Sequence, residues 1–184
     1  LFPLASVSSF FTSAIAAPSY AGIPVTHRRI ASSVTFVSGN EDIDKTHSNI
    51  NWSAISNTGG TIVVLMGRSK LNKITDKLIK AGLNPETPAA LIRWGSEPHQ
   101  TTIIGTTRSI SIQADKAQLS PPVALVIGEV VNLRNELNWF ETLPLFGKRI
   151  LVTRTRDQAS KLSALLTQQG AIPIELPTIE IIPI

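Results

Sequence analysis

Apolar positions in this chain fall into short, nearly unbroken runs separated by glycine, proline and polar clusters, as expected of strands covered on both faces. Residues 61–66, 89–94 and 123–131 are the strongest runs, with Gly67 and Gly95 directly after the first two and Gly128 inside the third. The stretch from Ser33 to Gly39 is rich in β-branched and aromatic residues and reads as a further strand. Residues 100–106 alternate, and their spacing from the preceding run predicts an antiparallel partner for it. Between the runs, Leu71, Ile74 and Leu78 recur at helical spacing, with Ser69 placed to cap that helix and Gly82 and Asn84-Pro85 to stop it. Trp52 with Ile55 suggests a short helical turn, and the polar stretch 108–119 a further helix. The fold class implied is α/β: a mixed sheet flanked by helices, three layers in all.

Near residue 143 the pattern starts afresh. Residues 148–154 read as a strand, Thr155 with Gln158 as a capping box, Leu162, Leu165 and Leu166 as a helical stripe ended by Gly170, and 172–174 as a second strand. About forty residues bury too little surface to close a doubly wound domain. The expected division is therefore a lobe over 1–143 and a stub over 144–184.

The stretch 12–29 carries the first candidate chemistry. Thr12 and Ser13 offer hydroxyls at a helix start, and Ala14, Ala16, Ala17 and Ala21 let another backbone or a ligand come close. After a turn through Gly22 and Pro24, Thr26, His27, Arg28 and Arg29 gather donors and positive charge suited to anions. Read alone, the same residues describe a packed helix followed by a basic surface turn. The loop Met66–Lys70 follows a strand at its carboxyl end, the edge at which open α/β sheets bind ligands.

Composition narrows the classes. With 42% apolar and 16% charged residues among 184, the chain is globular in type. A formal net charge of +4 permits an anionic partner, and no Lys/Arg-rich run with interleaved aromatics points to nucleic acid. The absence of cysteine excludes disulfides and thiolate metal sites and fits a reducing cytoplasm. The apolar opening, residues 1–17, is broken by Ser, Thr and Pro and has no positive residue before Arg28, so neither a membrane span nor a secretory signal is expected. His47 near Glu41, Asp42 and Asp44 matches no ligand spacing, and no metal is expected there. No nucleophile–base pair stands out, so no catalytic residue is assigned.

Spaced segments in a fixed order add a resemblance. The stretch 12–28, Gly-Thr-Ile-Val-Val-Leu-Met-Gly at 60–67, Pro-Ala-Ala-Leu-Ile-Arg-Trp-Gly-Ser at 88–96, Pro-Pro-Val-Ala-Leu-Val-Ile-Gly-Glu-Val-Val at 121–131 and Leu-Asn-Trp-Phe at 137–140 together resemble the uroporphyrinogen-III C-methyltransferases of the tetrapyrrole methylase family. The resemblance covers roughly residues 12–143, the family's carboxyl-terminal half. Val-Thr-Arg at 152–154 and Leu-Pro-Thr-Ile-Glu at 176–180 resemble the start of a uroporphyrinogen-III synthase, which implies a fusion of consecutive steps.

The resemblance implies S-adenosylmethionine as methyl donor and uroporphyrinogen III as substrate, converted to precorrin-2 on the route to sirohaem and cobalamin. It also implies a homodimer at full length. It places cofactor contacts on Thr12, Ser13, Met66 and Gly95, the last because a missing side chain lets a ligand meet the backbone. His27, Arg28 and Arg29 are candidates for the substrate's carboxylates. The family commonly has Ala directly after Pro-Pro, where this chain has Val123. The family's amino-terminal half, with its glycine-rich loop, has no counterpart here, so the chain is expected to be inactive alone. Two other readings stand beside this one: a methylase of the same fold acting on another precorrin, ribosomal RNA or a diphthine precursor, and a non-catalytic dimerisation or scaffold module.

Overall fold

The computed structural model describes residues 12–40, 49–154 and 156–178. Five strands, β1 (Val34–Ser38), β2 (Thr61–Leu65), β3 (Pro88–Arg93), β4 (Thr101–Thr106) and β5 (Val123–Ile127), form one sheet in the order β1-β2-β5-β3-β4. β1 runs parallel to β2; β5 is antiparallel to both β2 and β3, and β3 to β4. The sheet is therefore mixed, as the sequence pattern predicts.

Each face carries its own core. On one, α3 (Leu71–Lys80) and α4 (Ile110–Lys116) meet Ile62, Val64, Leu91 and Leu125, with the predicted stripe Leu71, Ile74 and Leu78 fully buried. Burying side chains of that size is worth roughly 1.5–3 kcal/mol each, which far exceeds the intrinsic helix preference of so short a segment. The short helix α2 (Trp52–Asn57) packs beside α3, where Ser56 Oγ donates to the Leu78 carbonyl at 3.1 Å. On the other face, α1 (Ser13–Tyr20) lays Ala14 and Ala17 on Val63, Ala90, Ala124 and Val126. Small residues on both sides let this helix sit close to the sheet.

The start of α1 is as expected: Thr12 is its N-cap, and the Ala14 amide donates to Thr12 Oγ1 at 3.4 Å. Two expectations are corrected. The last strand of the lobe stops at Ile127 and not at Val131, because Gly128 turns the chain at φ 145° into a short 3-10 turn, Glu129–Leu133. Val130 and Val131 are buried through that turn against the α1 face, so their apolar character reports packing and not a strand. Ser69 does not cap α3: the helix follows a 3-10 turn, Arg68–Lys70, and its N-cap, Lys70, makes no side-chain cap bond.

A four-residue helix, α5 (Arg134–Leu137), leads to an aromatic cluster in which Phe140 meets Tyr20 edge-on at 4.9 Å and Phe146 edge-on at 5.3 Å. Burial raises the pKa of the Tyr20 hydroxyl above its ordinary value. Beyond it, β6 (Arg149–Val152) and β7 (Ile172–Glu175) form a separate two-stranded parallel sheet, crossed by α6 (Arg156–Gln168). Thr155 and the side chain of Gln158, the expected capping box, lie outside the described residues, as does the acidic loop with His47. Among the described residues no helix is long and apolar enough to cross a membrane.

Candidate functional site

Strand direction gathers the candidate residues. Because β5 runs against β2 and β3, its beginning lies beside their carboxyl ends, and Leu65, Ala124 and Ile92 form one row across the sheet. That row floors a cavity of about 750 Å³, in the size range of small-molecule sites. Ser13, Ala16 and Ala17 of α1 form one wall. The segments just past the strand ends form the rest, chiefly Met66, Arg68 and Ser69 after β2, Trp94 to Glu97 after β3, and Pro121-Pro122 before β5.

The backbone at two of these strand ends is unusual. Met66, Trp94 and Ser96 hold φ of 57°, 52° and 73°, left-handed values that cost a residue with a β-carbon of order 1 kcal/mol each. Such geometry turns the chain sharply out of the sheet. Met66 consequently stands 62% exposed at the cavity, a position that core packing does not explain. Arg68 is fixed on the rim, where its Nε donates to the Leu119 carbonyl and its Nη2 meets Asp115 Oδ1 at 2.8 Å.

Three of the four candidate cofactor residues, Ser13, Met66 and Gly95, come from distant parts of the sequence to line this one cavity. Thr12 is not part of the lining and holds the end of α1 instead. At Gly95 a β-carbon would lie 2.3 Å from Ala17 Cβ, so close approach of α1 already requires glycine there, whatever a ligand does. Val123, at the Pro-Pro junction, also lines the cavity. His27, Arg28 and Arg29 form a turn closed by His27 and Ala31, which exchange backbone hydrogen bonds of 2.9 and 3.0 Å. Both arginines are exposed, and none of the three lines the cavity.

Sequence reasoning reached Arg68 only as part of the Met66–Lys70 loop and missed Trp94, Ser96 and Glu97 as lining residues. The only available signal was position, since each follows directly after a strand end; left-handed backbone at a non-glycine residue leaves no mark in composition. Chemically the cavity is mostly apolar, with hydroxyls from Ser13, Ser69 and Ser96, one guanidinium and one carboxylate at its edges. It suits a ligand with a substantial apolar part and a few polar groups. Among the described residues no cluster suited to a metal ion is present.

Comparison with known proteins gives the chain a family. The profile of the family described as Tetrapyrrole (Corrin/Porphyrin) Methylases matches residues 11–111. A "Porphyrin biosynthesis protein HemD" of Ruminiclostridium josui is 37% identical over 173 residues, 94% of this chain and 34% of that protein. A "Uroporphyrinogen-III C-methyltransferase" of Synechocystis sp. is 47% identical over 136 residues, 74% of this chain and 51% of its own. Among solved structures, a uroporphyrin-III C-methyl transferase from Thermus thermophilus complexed with S-adenyl homocysteine superposes with a TM-score of 0.53 at 25% identity, over 66% of this chain and 51% of that one. The chain thus spans about half the length, or less, of these relatives.

Proposed function

Since the chain belongs to the tetrapyrrole methylase family, we propose that its five-stranded lobe is the carboxyl-terminal part of an S-adenosylmethionine-dependent uroporphyrinogen-III C-methyltransferase forming precorrin-2. The observation that carries this reading is the convergence of Ser13, Met66 and Gly95 on one cavity at the strand ends. The names of the Synechocystis and Thermus relatives support the substrate, and the S-adenyl homocysteine bound in the latter, which is the donor after loss of its methyl group, supports the methyl donor.

When bound, S-adenosylmethionine supplies a methyl group on a sulfonium, already a good leaving group, for transfer to a pyrrole carbon. Little acid or base is then required of the protein; it must orient the two reactants and keep water out. The row Leu65, Ala124 and Ile92 gives the site a dry floor. Met66 offers a polarisable side chain for packing on the donor, while Ser13 and Ser69 provide hydroxyls for its polar end. The turn His27–Arg29 presents cations to the carboxylates of the tetrapyrrole at some remove from the cavity, which separates substrate from donor recognition. The two-stranded unit from 144 onward is the beginning of a synthase domain. Its inclusion in the match to the Ruminiclostridium josui protein, which takes in 94% of this chain, supports a single longer protein carrying both units.

Titration of the isotope-labelled chain with S-adenosylhomocysteine, followed by amide chemical shifts, tests this. Shifts should centre on Ser13, Met66 and Gly95 with a dissociation constant of about 1 mM, worth only about 4 kcal/mol, because one wall of the site is expected to come from elsewhere. Shifts clustered away from these residues would refute the cavity assignment, and micromolar binding would refute the partial-site argument. In a complete enzyme carrying this lobe, Met66→Ala should raise KM for the donor, and Arg28→Ala KM for uroporphyrinogen. Equal effects on both ligands would remove the division of labour.

A further inference from the structure

A largely buried polar network adjoins the cavity at the Trp94–Glu97 turn. Glu141, only 16% exposed at its side chain, accepts from Thr102 Oγ1 at 2.6 Å and from Gln100 Nε2 at 2.8 Å through one oxygen. Its other oxygen pairs with Arg134, itself 13% exposed, whose second nitrogen donates to the Ala21 carbonyl and to Asn138 Oδ1. Gln100, fully buried, passes the network on: its Oε1 accepts from the Ser96 amide at 2.9 Å. Ala21 closes α1, the helix that supplies one wall, and Ser96 belongs to the left-handed turn that packs on that helix at Gly95 and supplies the adjoining wall.

We propose that Glu141, acting through Gln100 and Arg134, is a positioning residue that fixes how α1 and the Trp94–Glu97 turn meet and so the affinity of the cavity for its ligand. The turn cannot hold itself, because φ of 52° at Trp94 and 73° at Ser96 are unfavourable for residues with β-carbons and persist only if something outside fixes them. Backbone bonds from Glu97 to the Trp94 carbonyl and from Gln100 to the Glu97 carbonyl close the turn, yet none of these reaches the Ser96 amide. The Gln100 side chain does. Partial burial makes the arrangement demanding: an arginine and a carboxylate largely withdrawn from water are tolerated when hydrogen-bonded as these are, to each other and to Ala21, Asn138, Thr102 and Gln100. A network satisfied to this degree holds one geometry, and that geometry fixes both walls at once.

This inference rests on the proposed ligand, so its test reads the turn and the binding separately. In Gln100→Met, a side chain of similar size that cannot bond Ser96 or Glu141, hydrogen exchange of the Ser96 amide should accelerate and the dissociation constant for S-adenosylhomocysteine should rise, each by about tenfold or more, since both hydrogen bonds of the Gln100 amide are lost. Glu141→Gln keeps the shape and leaves an oxygen for Arg134, but its amide cannot accept from Gln100 and Thr102 as the carboxylate oxygen does. It should weaken binding and accelerate Ser96 exchange in the same direction by a smaller factor, which a role in bulk packing would not produce. Faster Ser96 exchange with unchanged affinity would overturn the inference while leaving the ligand assignment intact. Unchanged affinity and unchanged Ser96 exchange in Glu141→Gln would overturn it equally. Unperturbed Ser13 and Met66 amides in the unsubstituted chain would instead overturn the ligand assignment.

Discussion

β2 and β6 are both short, apolar strands that open strand–helix units, and their surroundings differ completely. Thr61 to Val64 are buried on both faces of the five-stranded sheet, with α1 on one side and α3 on the other. β6 has a single neighbour, β7; among its residues only Val152 is buried, and Leu151 stands 55% exposed. The helices follow suit. α3 buries Leu71, Ile74 and Leu78, whereas α6 buries Ala159 and Ser163 and leaves Leu165 60% exposed. An apolar stripe thus forms a helix in both units and finds a complete partner surface in only one.

Two matched substitutions give the largest expected contrast. Leu78→Ala, at a site with no exposure, should cost about 3 kcal/mol in denaturant unfolding, and Leu165→Ala less than about 0.5 kcal/mol. Comparable losses at both would mean that α6 packs on a surface its exposure does not reveal. Next in size is hydrogen exchange. Amides of 62–64 should exchange about a hundredfold more slowly than those of 150–152 and 159–166, since the smaller unit opens without disturbing the larger. Equal protection would make the chain one cooperative domain. The smallest effect should come from truncation after residue 143. It removes Phe146 from the edge of Phe140, a contact worth about 1 kcal/mol, and otherwise leaves the five-stranded lobe whole. Unfolding of the truncated lobe would abolish the two-unit division.

Strand positions were legible wherever burial on both faces produced an unbroken apolar run, and the stripe of α3 was legible because it faces a flat core. Val130 and Val131 misled because buried turns and buried strands share a composition, and only the backbone at Gly128 separates them. Ser13, Met66 and Gly95 were legible through the family resemblance, since each alone reads as ordinary packing or an ordinary turn. Trp94 and Ser96 were not, since their place depends on a left-handed turn and on a bond to Gln100, and Arg68 was legible only as part of the loop after β2, its bond to Leu119 lying 51 residues away in sequence. Gln100 itself read as one polar position in an alternating strand. Its burial follows from Glu141, 41 residues later, which no local pattern can announce.

The strand order has a consequence for how the molecule is made. β2 and β3 touch each other only through β5, the last of the five strands to be synthesised. Until residue 127 has left the ribosome, β1 with β2 and the hairpin of β3 and β4 remain two half-sheets, each with an apolar, unpaired edge. Insertion of β5 closes both edges in one event that spans more than sixty residues of chain at its Ile62–Ile127 pairing. Contacts so distant in sequence make for slow folding, and open strand edges invite association in the interval. The segment that follows β5, from the 3-10 turn to the aromatic cluster at Phe140, then serves as a latch: Val130 and Val131 enter the core beneath α1 only once the central strand is in place.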